Sequence, residues 1–417
     1  MKWRLVVALW IAWGAVADAH AYVVATQPAM NGSYPSLNGS IGISFDEPIT
    51  ILNSDALEVT DDSGRRVDRH DARVDPQDAT RVVVDVPQQL APGFYTVHWR
   101  VISADTHVVH GSYQIGVGIQ LNAIKRSREA SPYDPATVLP SAIRWLSLLG
   151  ALLAAGALAL SRLVLGRMRP AAPEAEAIAR RAALIGIALV LLAALPALLV
   201  QAAAVSGHLG GAIGPTLQSR WGVAWIVRLA SSVALLLVAA FAWRRAALPG
   251  IILACMVLAS FSASGHALAL HASAQTAAFW MDFAHLLASS VWIGGVLVLA
   301  PIVLMHRALA PALFARFTPP AMACVAVILV SGVYAAVIHI PSFADLVHTS
   351  YGRILLAKVV LVAVLLCLGY RHMRIGHGRA SAAGANTIGY EALVGMVIIA
   401  LTAFLIGQML PMHMAGM

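Results

Sequence analysis

Three residues in the N-terminal part of the chain have types and positions suited to binding a metal ion: His20, Asp105 and His107. A basic start and an apolar run lead to small residues at positions 17 and 19, the pattern that signal peptidase reads. Cleavage after position 19 makes His20 the first residue, so that its free α-amine and its imidazole can chelate one ion. With Asp105 and His107, two positions apart on one side of an extended backbone, these donors form a nitrogen and oxygen site that favours Cu(II).

The alternative is that His20 lies at the cleavage point by chance, that Asp105 caps a turn, and that His107 is an ordinary surface residue. The sequence near these residues does not separate the two interpretations. His110 follows closely and is an additional candidate ligand or a partner of one.

A second group of candidate ligands lies inside a later apolar run: Met281, Asp282 and His285. Their spacings of three and four positions place all of them on one face of a helix. A thioether beside an imidazole suits Cu(I), and a carboxylate can orient the imidazole or relay a proton. The alternative is a structural hydrogen bond between Asp282 and His285 inside a helix bundle. A binding role is favoured because ionisable groups in apolar spans are costly.

Two histidines, His208 and His266, repeat a Ser-Gly-His pattern at the ends of two apolar runs. We expect them to add ligands to the Met281, Asp282 and His285 group. The sequence leaves open whether the Met-rich tail at 409–417 binds copper. It also leaves this open for further histidines near the same ends, which are His271, His339, His348 and His413. Two cations inside the runs, Arg228 and Lys358, are expected to snorkel outward or to pair with an acidic group.

The composition divides the chain into a soluble part and a membrane part. The protein has 417 residues, of which 59% are hydrophobic and only 12% charged. A soluble protein carries about twice that charged fraction. Three cysteines lie singly in apolar runs, which argues for small core residues rather than a disulfide framework. No phosphate-binding GxxxxGK pattern is present, so the sequence gives no support for direct use of ATP.

Short runs of alternating apolar residues separated by turn residues fill positions 20–118. This pattern predicts a small antiparallel β-sandwich, with an Ig- or cupredoxin-like Greek key as the fold class. Residues 1–19 are the predicted signal peptide. Residues 119–137, which are charged and contain prolines, are the predicted linker.

Eight apolar runs of about 20 residues predict an all-α bundle of eight transmembrane helices over 138–417. They lie at 138–161, 182–205, 221–243, 249–268, 279–304, 319–340, 353–371 and 388–410. Arginines concentrate in alternate loops, which the positive-inside rule assigns to the cytoplasm. The predicted location is therefore the bacterial inner membrane, with the N-terminal domain and the C-terminus in the periplasm. Because the basic residues follow this bias, they do not indicate a nucleic-acid partner.

The soluble part resembles the CopC family of periplasmic copper-binding proteins. The residues that carry the resemblance are 20–21 (HA), 27–29 (QPA) with Gly32, 45–48 (FDEP), 92–100 (PGFYTVHWR) and 103–113 (SADTHVVHGSY). The resemblance implies that His20, Asp105 and His107 bind Cu(II). It implies no Met-rich Cu(I) site, because Met30 is the only methionine between His20 and the linker.

The membrane part resembles the CopD family of copper-resistance and copper-uptake proteins. The carrying residues are 282–295 (DFAHLLASSVWIGG), 316–318 (RFT) and 350–358 (SYGRILLAK). The whole chain therefore resembles a CopC–CopD fusion. The resemblance implies copper capture outside the inner membrane and copper movement inward, with copper resistance or homeostasis as the role.

The expected partners are copper ions, the lipid bilayer and a periplasmic copper donor or reductase. No enzymatic activity is expected. Three alternatives remain: a haem-bearing membrane reductase, an oxygen-activating copper enzyme, and a resistance protein that only stores copper outside. Asp105 argues against oxygen activation, because an anionic ligand stabilises Cu(II) and fills a position that oxygen needs. The transport direction, driving force, electron source and oligomeric state are not determined by the sequence.

Overall fold

A computed structural model describes two parts of the chain, a β domain and a helical domain. The described residues are 21, 23–37, 39–87, 89–103, 108–119, 135–168, 171–206, 212–264, 272–340, 343–378 and 382–407. The predicted signal peptide and most of the predicted linker lie outside them.

The β domain contains two four-stranded sheets. Its strands are β1 (Val23–Gln27), β2 (Ser33–Tyr34), β3 (Ser40–Phe45), β4 (Leu57–Asp61), β5 (Arg73–Asp75), β6 (Asp78–Asp85), β7 (Gly93–Ile102) and β8 (Val108–Val117). One sheet has the order β1-β3-β6-β5 and the other β2-β8-β7-β4. Side chains from both sheets form one apolar core, in which Ile43, Val84, Val97 and Ile115 are fully buried. The predicted β-sandwich is confirmed.

One strand pair departs from the predicted antiparallel arrangement. Strand β2 pairs with β8 in parallel, through Ser33 with Gly116 and Tyr34 with Val117. The chain leaves β1 in one sheet and crosses to the other sheet before forming β2. It therefore joins β8 without the tight hairpin that would force an antiparallel pair. The other pairs between the named strands are antiparallel.

A buried carboxylate, Asp68, fixes the segment beside β4. It accepts hydrogen bonds from the backbone N–H groups of Val59, at 2.8 Å, and His70, at 2.9 Å. The Nε atom of Arg66 donates to it as well, at 2.9 Å. Burial alone would raise the pKa of Asp68, but these hydrogen bonds and the Arg66 charge hold the pKa below its ordinary value.

We expect Asp68→Asn to destabilise the sandwich by about 2–3 kcal/mol. The substitution removes the buried negative charge that pairs with Arg66 and accepts two backbone hydrogen bonds. Since the folded state lowers the Asp68 pKa, its stabilising contribution is complete above the unfolded-state pKa. It is lost as the pH falls through the folded-state value. Amide hydrogen exchange of β4 in the intact protein measures both effects. Asp62→Asn, at a turn in the same domain, is the control; equal protection in the two variants would contradict the prediction.

The second domain is a bundle of helices. Its helices are α1 (Pro135–Leu163), α2 (Pro173–Ser206), α3 (Ile213–Gln218), α4 (Arg220–Phe241), α5 (Ala247–Ala263), α6 (Ala272–Ser289), α7 (Gly295–Met305), α8 (Ala310–His339), α9 (Asp345–His348), α10 (Ser350–Gly376) and α11 (Ile388–Leu405). A π-helical turn, Ser290–Gly294, joins α6 and α7 into one long element.

Seven helices of the described residues are long and apolar enough to cross a membrane. They coincide with seven of the eight predicted spans, so the chain is a multi-pass membrane protein. The remaining prediction, 249–268, falls on α5, a shorter apolar helix of 17 residues followed by residues outside the described set. The total of eight spans therefore remains a prediction.

Small residues bring α1 against the π-helical turn. A Cβ atom placed on Gly294 would lie 2.1 Å from the carbonyl oxygen of Leu152, and one on Gly156 would lie 2.3 Å from the carbonyl carbon of Gly294. Only glycine permits this backbone approach. The helix that carries His285 is therefore held against α1 just beyond that residue. π-helical turns add a residue to a helix and often lie near functional sites.

Candidate functional site

A cavity of about 330 Å³ lies within one end of the helical bundle. It is lined by the first halves of α1, α4, α10 and the joined α6–α7 element, and by the last halves of α2, α5, α8 and α11. Successive long helices around the cavity therefore run in opposite directions. Helix α5 runs in the direction that a membrane span at its place in the chain must have. The cavity lies at the end where α1 begins, which the chain reaches directly from the sandwich. This end is called the sandwich-side end below.

Met281, Asp282 and His285 all line this cavity. The sequence-based prediction that they share one face of a helix therefore agrees with their positions on α6. The side chain of Asp282 is solvent-accessible, whereas Met281 and His285 are half-buried. A soft sulfur donor, a carboxylate and an imidazole thus line the same cavity.

A serine on α8 sets which nitrogen of the neutral His285 ring carries the hydrogen. The Ser331 hydroxyl donates to the carbonyl oxygen of Val327 at 2.6 Å, which uses its single hydrogen. Its oxygen, 2.9 Å from Nδ1 of His285, must then accept a hydrogen bond from an Nδ1–H group. The neutral ring therefore carries its lone pair on Nε2, the form in which histidine binds metal ions. This contact could not be predicted from local sequence, because Ser331 lies 46 positions from His285.

The two cations inside the spans turn inward rather than snorkelling. Arg228 is 9% exposed, and its guanidinium lies 3.7 Å from the ring centroid of Phe261. It donates to the hydroxyl and carbonyl oxygens of Ser260, each at 3.0 Å, and to the Ser264 hydroxyl at 2.9 Å. Lys358 lines the cavity within electrostatic range of Asp282, as the predicted pairing with an acidic group requires.

Several predicted ligands lie outside the described residues: His20, Asp105, His107, His208 and His266, together with His271, His413 and the tail at 409–417. The structure therefore does not test their roles. Among the residues that it does describe, no group of three or more His, Cys, Asp or Glu side chains could hold a metal ion.

The residues that flank two of these segments contact one another. Ile102, at the end of β7, and Ala212, just before α3, are buried in one apolar cluster against which Val108 packs. Ile102 and Val108 bracket the segment that contains Asp105 and His107. Ala212 directly follows the segment that contains His208. The strand ends beside the predicted Cu(II) ligands therefore rest on the helical domain.

Two other candidate histidines are described. His110 faces Arg100 across β7 and β8. Desolvation and the positive charge of Arg100 lower the pKa of His110 below its ordinary value. His348, on α9, is exposed and does not line the cavity. His339 ends α8, and its side chain lies outside the described set.

A separate polar cluster lies at the opposite end of the bundle. The Nδ1 atom of His372 is 2.6 Å from a carboxylate oxygen of Glu391, and its Nε2 atom is 2.9 Å from the Thr387 hydroxyl. Phe314 stacks on the same ring at a centroid distance of 4.7 Å. Because both ring nitrogens have partners, His372 has no lone pair free for a metal ion, and the cluster joins α10 to α11.

Comparisons with known proteins match both domains. A family model described as CopC domain matches residues 23–118, and one described as Copper resistance protein D matches 311–405. The second match begins after α6 and does not include Met281, Asp282 or His285.

Similar proteins match either the whole chain or the sandwich. The copper transport protein CutJ of Bacillus subtilis (strain 168) is 26% identical over 409 residues, which cover 91% of this chain and 72% of the relative. Copper resistance protein C of Xanthomonas campestris pv. juglandis is 33% identical over 107 residues, 25% of this chain and 84% of the relative. The crystal structure of CopC from Methylosinus trichosporium OB3b aligns with 25% of this chain and 100% of its own, at 23% identity and a TM-score of 0.22. Through its sandwich this chain belongs to the CopC family, and its helical domain carries a match to the CopD family in the same chain.

Proposed function

We propose that this CopC–CopD fusion is a copper-binding membrane protein that captures copper outside the inner membrane and moves it through the helical bundle. The sandwich is the capture domain, and the sandwich-side cavity is the entry to the membrane. Copper homeostasis or resistance is the resulting role. The leader at 1–19 exports the sandwich to the periplasm, and the arginine distribution orients the bundle accordingly.

The observation that carries this proposal is the placement of Met281, Asp282 and His285 in one cavity at the sandwich-side end. Ser331 holds His285 in the tautomer that leaves Nε2 available to a metal ion. An ionisable pair beside an apolar layer is costly, and coordination of an ion offsets that cost.

The capture site is formed by His20, Asp105 and His107, which bind Cu(II) through nitrogen and oxygen donors. The packing of Ile102 and Val108 around Ala212 supports transfer within one molecule, because it brings the end of the sandwich that carries Asp105 and His107 onto the bundle. The donors then change from nitrogen and oxygen in the sandwich to sulfur and nitrogen on α6. This change follows the preference expected when Cu(II) is reduced to Cu(I).

Copper uptake into proteoliposomes tests the proposal directly. With purified full-length protein inserted sandwich-outward, we expect saturable uptake of Cu(I) and, in the absence of a reductant, binding of Cu(II) without uptake. Liposomes without protein supply the background. Uptake no faster than this background for either ion would contradict transport and would leave a protein that stores copper outside the membrane.

A further inference from the structure

The cavity carries more positive than negative charge. Arg144, Arg228 and Lys358 line it, whereas Asp282 is the one carboxylate among its described lining residues. A bare copper cation entering this space would meet a net repulsion that the low dielectric of a membrane protein strengthens. We propose that the cavity binds a small inorganic anion, which neutralises the arginines and accompanies copper through the entry site.

The first support is the lack of counter-charges. None of the three cationic groups forms an ion pair with a carboxylate in the part of the chain that the structure describes. Lys358 and Asp282 interact electrostatically and offset one another in part. Arg144 and Arg228 then remain as two uncompensated charges that face the same cavity.

The second support is the arrangement of Arg228. Its Nε and Nη2 atoms bond to Ser260 and Ser264, which fixes the plane of the guanidinium against Phe261. These partners are neutral, so they satisfy hydrogen bonds without removing the charge. A buried guanidinium held in one orientation by neutral groups is a preorganised anion ligand, because Arg remains charged at any working pH.

The third support is the size of the cavity. At about 330 Å³, the cavity has room for several water molecules, each of which occupies about 30 Å³ in the liquid. One copper ion at Met281, Asp282 and His285 fills only a small part of that space. Room for an anion and several waters remains beside Arg144 and Arg228.

The inference rests on the proposed function for the role of copper, but anion binding can be measured without copper. Full-length protein in nanodiscs of zwitterionic lipid is titrated with ³⁶Cl⁻ as the probe. We expect saturable binding that weakens at least about tenfold in Arg144→Gln and in Arg228→Gln, because each removes one of the two uncompensated charges. Arg353→Gln, an exposed cation on α10 outside the cavity, is the matched control and keeps wild-type binding.

Absence of saturable chloride binding, or equal binding in all these variants, would overturn the proposal. Retention of an anionic phospholipid that only the cavity variants release, detected by mass spectrometry, would overturn it as well. In that case a lipid headgroup rather than a free anion would neutralise the arginines.

The role of the anion is tested by Cu(I) uptake in chloride and in gluconate, with free Cu(I) held constant by a chelator. Wild type and Arg353→Gln are expected to slow at least about tenfold in gluconate, whereas Arg144→Gln, which lacks one of the repelling charges, is expected to show little difference between the two media. Equal wild-type rates in the two media would overturn the accompanying role while leaving the proposed function standing. No uptake in either medium would refute the proposed function instead, and the copper-free titration would still decide whether the cavity binds an anion.

Discussion

Replacing His285 with alanine is expected to reduce copper uptake at least about 100-fold while leaving Cu(II) binding by the sandwich unchanged. The substitution removes the imidazole whose Nε2 lone pair is available in the cavity. It leaves the sandwich untouched, because the two domains have separate apolar cores. Initial rates in proteoliposomes, together with Cu(II) titration of the same preparation, measure both quantities.

Two variants of the same site separate coordination from packing. Ser331→Ala keeps the imidazole but removes the group that fixes its tautomer, so we expect a smaller loss, of about 10-fold to 100-fold. Met281→Leu preserves volume and is expected to weaken uptake least, because other donors remain. His377→Ala, exposed at the opposite end of the bundle, is the control for loss of a histidine. Wild-type uptake by His285→Ala would show that the residues of this cavity are structural and that copper follows another route.

The grouping of Met281, Asp282 and His285 could be predicted because helical spacing is a local property. Residues three or four positions apart lie on one face wherever a helix forms, and a long apolar run in a membrane must be helical. The same reasoning gave the strand positions of the sandwich, since alternation of apolar residues is read directly from the sequence.

The remainder of the cavity depends on contacts between distant segments. Ser331 is on α8 and Arg144 on α1, and nothing in their local sequence shows that they line the same space as His285. The parallel pairing of β2 with β8 is likewise a crossing between sheets, which alternation cannot indicate. The inward orientation of Arg228 could not be predicted for a similar reason, because its partners Ser260 and Ser264 lie on or at the end of a neighbouring helix.

The length of α5 illustrates a second limit of prediction from the sequence. Hydropathy predicts a span over 249–268, but the described helix ends at Ala263, near the Ser-Gly-His pattern of His266. Hydropathy measures how apolar a segment is, whereas the end of a helix depends on local backbone hydrogen bonds. The direction of α5 around the cavity nevertheless matches that of a span.

The mature N-terminus is the part of the predicted Cu(II) site that a single added residue changes. Adding one alanine before His20 in the exported protein is expected to weaken Cu(II) binding at least about 100-fold, because the nitrogen of His20 then belongs to a peptide bond and the direct amine–imidazole chelate of His20 is lost. Asp105 and His107 remain in this variant, so the loss reports on the chelate alone. Competition with a Cu(II) chelator gives the affinity, and the nitrogen hyperfine pattern of the Cu(II) spectrum gives the number of bound nitrogens.

A removable extension supplies the control. When the added residues carry a protease site that ends immediately before His20, cleavage should restore both the affinity and the spectrum of the mature protein. Asp105→Asn should weaken binding without changing the number of bound nitrogens, because a carboxylate contributes only oxygen. If the one-residue extension leaves the Cu(II) affinity unchanged, the α-amine is not a ligand, and copper capture must then depend on other groups in the sandwich, beginning with His110.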